Sequence, residues 1–305
     1  MEQSAESLTL PPARDAGLLA VALAGVSASG PIMAATAAPA LAIAFWRNAL
    51  GAGSTGLFVG MRRRAELAAL DRRGWTVASL AGVFLALHFG TWVPSIKLTS
   101  VASATALVAT QSVFTGLIAV RAGRRLPRLA WVGMALGVLG TALIAGADFG
   151  VSARALAGDG LALLGGFFAA AYVTAGASAR RGMSTATYTM ICYSVCALGL
   201  LVVCLVAGQP LGGYSGRAWL LILAVTGSAQ LLGHSLFNVV LRSVSATFVS
   251  LTILLEVPGA ALIAGLWLDQ WPPLSAVPGL VLLLAGLIVV VRSRGRAAGP
   301  VPDLD

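Results

Sequence analysis

Glu256 is the one carboxylate deep inside an apolar stretch of this 305-residue chain. All seven aspartates (15, 71, 148, 159, 269, 303 and 305) and Glu2, Glu6 and Glu66 fall in loops, stretch ends or tails. By helical rise Glu256 stands about 15 Å into its stretch, close to the midplane of a hydrocarbon layer. An ionised group there is costly, so it has to be protonated, paired or wetted. The chemistry this permits is carriage of a proton or binding of a substrate amine. The structural alternative is that its carboxyl answers the carbonyl of Leu254, which Pro258 has no N–H to reach.

Arg47 is the only arginine inside such a stretch, about 10 Å from one end by the same count. Its planar fork suits a substrate carboxylate or phosphate, or else the backbone carbonyls of a neighbouring helix. The two histidines, His88 and His234, each stand four residues before a second notable side chain, Trp92 and Asn238. At that spacing both members of a pair share a helix face, which suits the lining of a cavity, a proton relay or plain interhelical hydrogen bonding. Counted from the ends of their stretches, the two imidazoles fall in opposite thirds of a membrane, which excludes a shared metal ion. Gln111 and the aromatic Trp46 complete the set of residues expected along a substrate or ion path. No covalent catalysis is expected: no acid lies near either histidine, and no pair of carboxylates is available for metal-assisted chemistry.

The elements that must position these residues are ten apolar stretches, approximately 17–36, 40–61, 75–95, 101–120, 129–147, 157–177, 185–207, 218–240, 246–266 and 275–291. Each is about the 20 residues a helix needs to cross the hydrocarbon, and the composition agrees, with 58% hydrophobic and 10% charged residues. The basic residues alternate between rich and poor loops, sixteen on one side against Lys97, Arg154 and Arg217 on the other. The positive-inside rule then predicts that both termini face the cytoplasm. The net charge of +9 reflects these loop arginines, not nucleic-acid binding. Residues 1–15 are acidic and precede a stretch too long for a signal peptide. Cys192, Cys196 and Cys204 share the seventh stretch and read as small apolar packing residues.

A shift of 145 residues lays Leu117-Ile118-Ala119 on Leu262-Ile263-Ala264 and Pro127 on Pro272. A shift of 146 lays His88 on His234. The ten spans therefore read as two copies of five, and because five is odd the second copy enters the membrane from the opposite side. The expected fold is an all-α integral membrane protein of ten transmembrane helices in two inverted repeats, 17–147 and 156–292, with a cytoplasmic arm 1–16 and a tail 293–305. Helix breaks are expected at Gly30-Pro31, Pro94 and Pro258-Gly259, each a candidate hinge, and looser backbone at Gly165-Gly166. The pairs Gly56/Gly60 and Gly133/Gly137 read as packing, and the Gly-rich fifth span would serve a homodimer.

Over residues 17–292 the chain resembles the drug/metabolite transporter superfamily, specifically the EamA-type ten-helix carriers of bacterial inner membranes. The resemblance rests on Phe45-Trp46-Arg47-Asn48-Ala49, on the stretch from Leu87 to Thr105, and on Gly233-His234-Ser235-Leu236-Phe237-Asn238 through Leu255-Glu256-Val257-Pro258. Such carriers usually show a Glu-Pro pair near the ninth-span break, whereas Val257 intervenes here and Gln111-Ser112 holds the matching place in the first repeat. The resemblance implies export of a small metabolite through a central cavity, without a cofactor. A proton or the solute's own gradient would supply the energy, since no Gly-x-x-x-x-Gly-Lys nucleotide loop is present. An integral membrane lipid or prenyl transferase is the rival reading. An amino acid would suit Arg47 with Glu256, and an aromatic or cationic drug would suit Trp46 with Trp92.

Overall fold

A computed structural model describes residues 11–124, 126–146 and 152–292, and these are helical with short connections and no strand among the described residues. The arm before residue 11 and the tail 293–305 lie outside them. The helices are α1 (Ala13–Ser27), α2 (Ser29–Ala35), α3 (Ala40–Arg62), α4 (Arg64–Ala68), α5 (Arg72–Ile96), α6 (Val101–Val108), α7 (Gln111–Arg121) and α8 (Arg128–Gly146). There follow α9 (Ala153–Ala179), α10 (Thr185–Val206), α11 (Gly216–Val225), a π-helical segment (Thr226–His234), α12 (Ser235–Val240), α13 (Ala246–Ile253), α14 (Glu256–Leu268) and α15 (Val277–Arg292). Six helix starts are capped by side chains: those of Asp71, Ser100, Ser152, Ser184, Ser215 and Ser245 each accept an N–H from the first turn that follows.

Among the described residues, seven helices or runs of consecutive helical segments are long and apolar enough to cross a membrane: Ala13–Ala35, Arg72–Ile96, Val101–Arg121, Ala153–Ala179, Thr185–Val206, Gly216–Val240 and Ala246–Leu268. The 23-residue α3 carries Arg47 and Asn48 in its middle and stands outside that set, and the apolar parts of the fifth and tenth expected spans, Arg128–Ile144 and Leu274–Gly286, are shorter. Leucines and valines such as Leu57, Leu205, Val206 and Leu266 are exposed on the outer surface, while Arg47, Asn48, Gln230, Thr105 and Ser250 are buried. A bundle that is apolar outside and partly polar inside is the inverse of a soluble one and suits a lipid surround.

The main helix pairings repeat themselves. α5 packs on α9 and α1 on the π segment, which is one pairing seen twice with the halves exchanged. α3 packs on α10 and α8 on α15, each helix against its own counterpart. The α8–α15 contact is antiparallel and backbone-close: a Cβ on Gly286 would lie 2.4 Å from the Gly133 carbonyl oxygen, and one on Gly279 would lie 2.5 Å from that of Gly140. The glycine face expected to serve a homodimer is therefore used within the chain, against α15.

The helix breaks differ from those expected. α1 and α2 part at Ala28, just ahead of Gly30-Pro31. Pro94 breaks nothing; it lies in the last turn of α5, which ends at Ile96. Gly165-Gly166 loosens nothing either, because α9 runs unbroken and uses both glycines for close approach. A Cβ on Gly165 would meet Trp92 at 3.1 Å, and one on Gly166 would meet the Val108 carbonyl oxygen at 2.9 Å. The fourth and ninth expected spans break at Ala109–Thr110 and Leu254–Leu255, positions 145 residues apart.

Candidate functional site

The two matched breaks share one local geometry. At each, i to i−3 hydrogen bonds replace the helical ladder: Thr110 N–H to Leu107 O at 3.2 Å and Val113 N–H to Thr110 O at 2.9 Å in one half, Leu254 N–H to Leu251 O at 3.2 Å and Leu255 N–H to Thr252 O at 3.0 Å in the other. Pro258 stands at the third residue of α14, inside a first turn whose N–H groups have no partner within the helix, so its missing N–H costs no ladder bond there. The Leu254 carbonyl is answered by the Val257 N–H at 3.3 Å. Glu256 is therefore not needed to satisfy it, and the structural alternative for its carboxyl falls away.

New helices start immediately after the breaks, so Gln111 is the first residue of α7 and Glu256 the first of α14. Both line one enclosed cleft between the two halves, together with Ser29, His88, Trp92, Tyr172, His234 and Asn238. Val26, Val108, Val249, Ile253 and Leu241 supply apolar wall. The cavity volume of the cleft is only about 40 Å³, spread as narrow crevices between side chains, so an organic solute enters only if the halves move apart. Helix starts carry partial positive charge, so both breaks point a favourable electrostatic end at this space.

The two histidines, counted into opposite thirds of a membrane, come to one shared cleft. The His88 and His234 rings lie 4.7 and 5.4 Å from the ring of Phe89, centroid to centroid, and both line one cleft. The eighth expected span contains a π segment over Thr226–His234, which ends at the second histidine. The i, i+4 reading holds: His88 stacks on Trp92 at 5.5 Å and 13°. His88 Nδ1 lies 3.0 Å from the Gly165 carbonyl oxygen. A carbonyl only accepts, so Nδ1 carries the hydrogen and Nε2 keeps its lone pair when the ring is neutral. Asn238 donates to the Tyr172 hydroxyl at 2.8 Å, tying α12 to α9 across the wall.

Arg47 is fully buried but does not reach the cleft. Its Nε donates to Gln230 Oε1 at 3.0 Å and its Nη1 to Ser29 Oγ at 3.2 Å, and its guanidinium lies 4.3 Å from the centre of the Phe89 ring. Gln230 donates in turn to Asn48 Oδ1 at 2.9 Å, and Tyr193 donates to the Gln230 carbonyl at 3.3 Å. Ser29 and Phe89 thus stand between this cation and the cleft, and the arginine clamps α2, α3 and the π segment together. Trp46 is also elsewhere. Its indole N–H donates to the Leu211 carbonyl at 2.8 Å and its ring meets Trp219 at 5.0 Å, in an aromatic cluster with Phe45 and Tyr214 at one end of the bundle. Phe45-Trp46-Arg47 are consecutive on one helix, so their side chains diverge by about 100° per residue and cannot share a face.

Residues that the motifs did not point to are Ser29, Tyr172 and Gln230. Each is a polar group inside an apolar run, which was the available signal. At the two ends of the bundle the charges separate: Arg14, Arg63, Arg73, Arg124, Arg180, Arg181 and Arg242 gather at one. At the other, Lys97 donates to the carbonyls of Ala34 and Thr36 at 3.0 and 2.8 Å, and Arg154 to that of Lys97 at 3.2 Å.

Comparison with known proteins agrees with this two-part plan. One solved structure, called only "Crystal structure of protein", is similar in fold, with a TM-score of 0.71 at 18% identity over 94% of this chain and 99% of its own. No curated protein matches the sequence. The model of the EamA-like transporter family matches twice, over residues 15–146 and again over 156–292. The chain is a multi-pass membrane transporter protein and belongs to the EamA-like transporter family.

Proposed function

We propose that the chain is a secondary carrier of ten transmembrane helices in two inverted repeats, 17–147 and 156–292. It moves a small organic metabolite by alternating access and exports it from the bacterial cytoplasm across the plasma membrane. The observation that carries this reading is the cleft itself: it lies between the halves, and its wall holds two pairs of residues related by the repeat, His88 with His234 and Gln111 with Glu256. Antiparallel packing of α8 on α15 supports inversion, because a helix that meets its own counterpart head to tail needs a two-fold axis across the bundle. The arginine-rich end supports a cytoplasmic placement of both termini.

Of the expected path residues, His88, Trp92, Gln111, His234, Asn238 and Glu256 form the site; Arg47 supports it through Ser29, and Trp46 anchors the far end. The breaks at Ala28, Ala109–Thr110 and Leu254–Leu255 serve as hinges, Gly30-Pro31 and Pro258-Gly259 being the residues that hold two of them open. Glu256 supplies the protonatable group for coupling to a proton gradient, without which the solute's own gradient drives transport. The test is metabolite profiling of medium from cells with and without the protein, and with and without an uncoupler. A solute class that accumulates outside only in energised cells holding the protein supports the reading, and Glu256→Gln should remove the uncoupler dependence. An inserted, folded protein that alters no solute flux under any gradient overturns it.

A further inference from the structure

At the arginine-rich end a second cavity, of about 460 Å³, opens where the two repeats meet. Arg14 and Arg63 line it from the first repeat and Arg180 and Arg242 from the second, against one carboxylate, Asp15, which accepts the Ser243 hydroxyl at 2.5 Å. Arg14, Arg63 and Arg242 are exposed, as arginines that anchor a membrane protein normally are. Arg180 is different, being only 3% exposed. Its Nε donates to the Asn238 carbonyl at 2.9 Å and its Nη1 to that of Met183, and Nη2 has no partner among the described residues. Burial, and after it the like charge of Arg242, pulls this guanidinium below its usual range to about 10, so it stays charged at neutral pH beside a second cation.

The start of the 22-residue α10 opens into the same cavity. Ser184 caps the Thr187 N–H, and Glu66, 3.8 Å from Arg63, takes the N–H of Ser184. The N–H groups of Thr185 and Ala186, two residues that line the cavity, have no acceptor within the helix. A helix start, a buried guanidinium with one free arm and three exposed arginines suit one ligand chemistry. That chemistry is the phosphate group, whose oxygens accept forked arginine and backbone N–H bonds together. We propose that this cavity is a phosphate-binding site, separate from the central cleft, filled by the headgroup of an anionic phospholipid or by a free phosphate. Its wall comes from both repeats, so a bound phosphate ties them together at this end. Arg180 also links it to Asn238, whose residue lines the cleft.

Three probes decide this, titrated calorimetrically into the purified full-length protein in neutral detergent at pH 7 and low salt: inorganic phosphate, dihexanoyl-phosphatidylglycerol and dihexanoyl-phosphatidylcholine. At least one of the two anions should bind saturably, and the tighter of them identifies the source, lipid headgroup or free phosphate. Phosphatidylcholine, which brings its own cation to the arginines, should bind at least tenfold more weakly than that anion. Arg180→Lys, which keeps the charge but loses the fork, should weaken the anion about tenfold. Arg242→Gln, at an exposed position that folding does not need, should do the same, whereas Arg121→Gln, exposed at the same end but outside the cavity, should leave binding within twofold. Binding of neither anion would overturn the proposal, as would phosphatidylcholine binding as tightly as the anion. Full binding by a folded Arg180→Lys variant would overturn it too, and so would equal weakening by Arg121→Gln and Arg242→Gln, the mark of diffuse surface charge alone.

Discussion

Replacing Gln230 by leucine should destabilise the protein more than replacing Arg47 by methionine, although arginine is the larger and more connected side chain. Arg47→Met removes two charge-assisted hydrogen bonds, at 3.0 and 3.2 Å, and the contact with the Phe89 face at 4.3 Å. It leaves only neutral groups behind, so the cost is about 1–3 kcal/mol. Single hydrogen bonds between membrane helices average nearer to about 0.6 kcal/mol, which favours the lower end. Gln230→Leu instead keeps the guanidinium, 0% exposed, while taking away the acceptor at its Nε and the donor to Asn48. An abandoned buried charge costs about 3–5 kcal/mol. The double variant has no charge to strand and should resemble Arg47→Met, which makes the two changes non-additive by the whole cost of Gln230→Leu, about 3–5 kcal/mol. Reversible unfolding of the detergent-solubilised protein, followed by tryptophan fluorescence, measures all three. If Arg47→Met proves the worse single change, or if the two add to within about 0.5 kcal/mol, the clamp described here does not carry the arginine's role.

Two further outcomes follow from the packing and the loop charges. Gly286→Ala would push a Cβ to 2.4 Å from the Gly133 carbonyl oxygen and force α8 and α15 apart, costing about 1–3 kcal/mol, whereas Gly53→Ala meets nothing within 4 Å and should gain about 0.5 kcal/mol; Tm values in one detergent compare them. Glu66, in the short α4, accepts the Ser184 N–H at 2.5 Å. Partial burial pushes its carboxyl up, but that N–H, the hydroxyls of Ser184 and Thr187, and Arg63 outweigh it and hold it below the ordinary 4.5. A depressed folded value stabilises the protein above the unfolded one and is lost as pH falls through the folded one. Glu66→Gln should therefore lower Tm at pH 7, and the difference from the parent should vanish as pH drops well below 4.5.

The duplication was legible because its signal is carried by position, not by identity. The 145-residue shift that aligned Pro127 with Pro272 also predicts which break faces which, and Gln111 with Glu256 as counterparts. The second span, 40–61, was legible as α3 although Arg47 and Asn48 lower its hydropathy; what the sequence could not show is that both are buried and joined through Gln230. The eighth expected span offered no proline at the π segment, so its wider turns could not be read. Gly165-Gly166 misled for a related reason. In a membrane helix adjacent glycines admit a neighbour's backbone more often than they break the ladder. Trp46 and Arg47 share a motif, but a helix sends neighbouring side chains to different surroundings, and only packing shows which of them meets the cleft.

Side-specific cysteine labelling tests alternating access most directly. Val108 and Ile253 both line the cleft and are 145 residues apart, so each is the other's counterpart in the two repeats. In a background with Cys192, Cys196 and Cys204 replaced by alanine, Val108→Cys and Ile253→Cys are exposed to a membrane-impermeant maleimide from one side and then from the other. The account predicts that each cysteine is labelled from both sides, and that reversing the proton gradient shifts the balance between them. Labelling confined to one side under every gradient would contradict it.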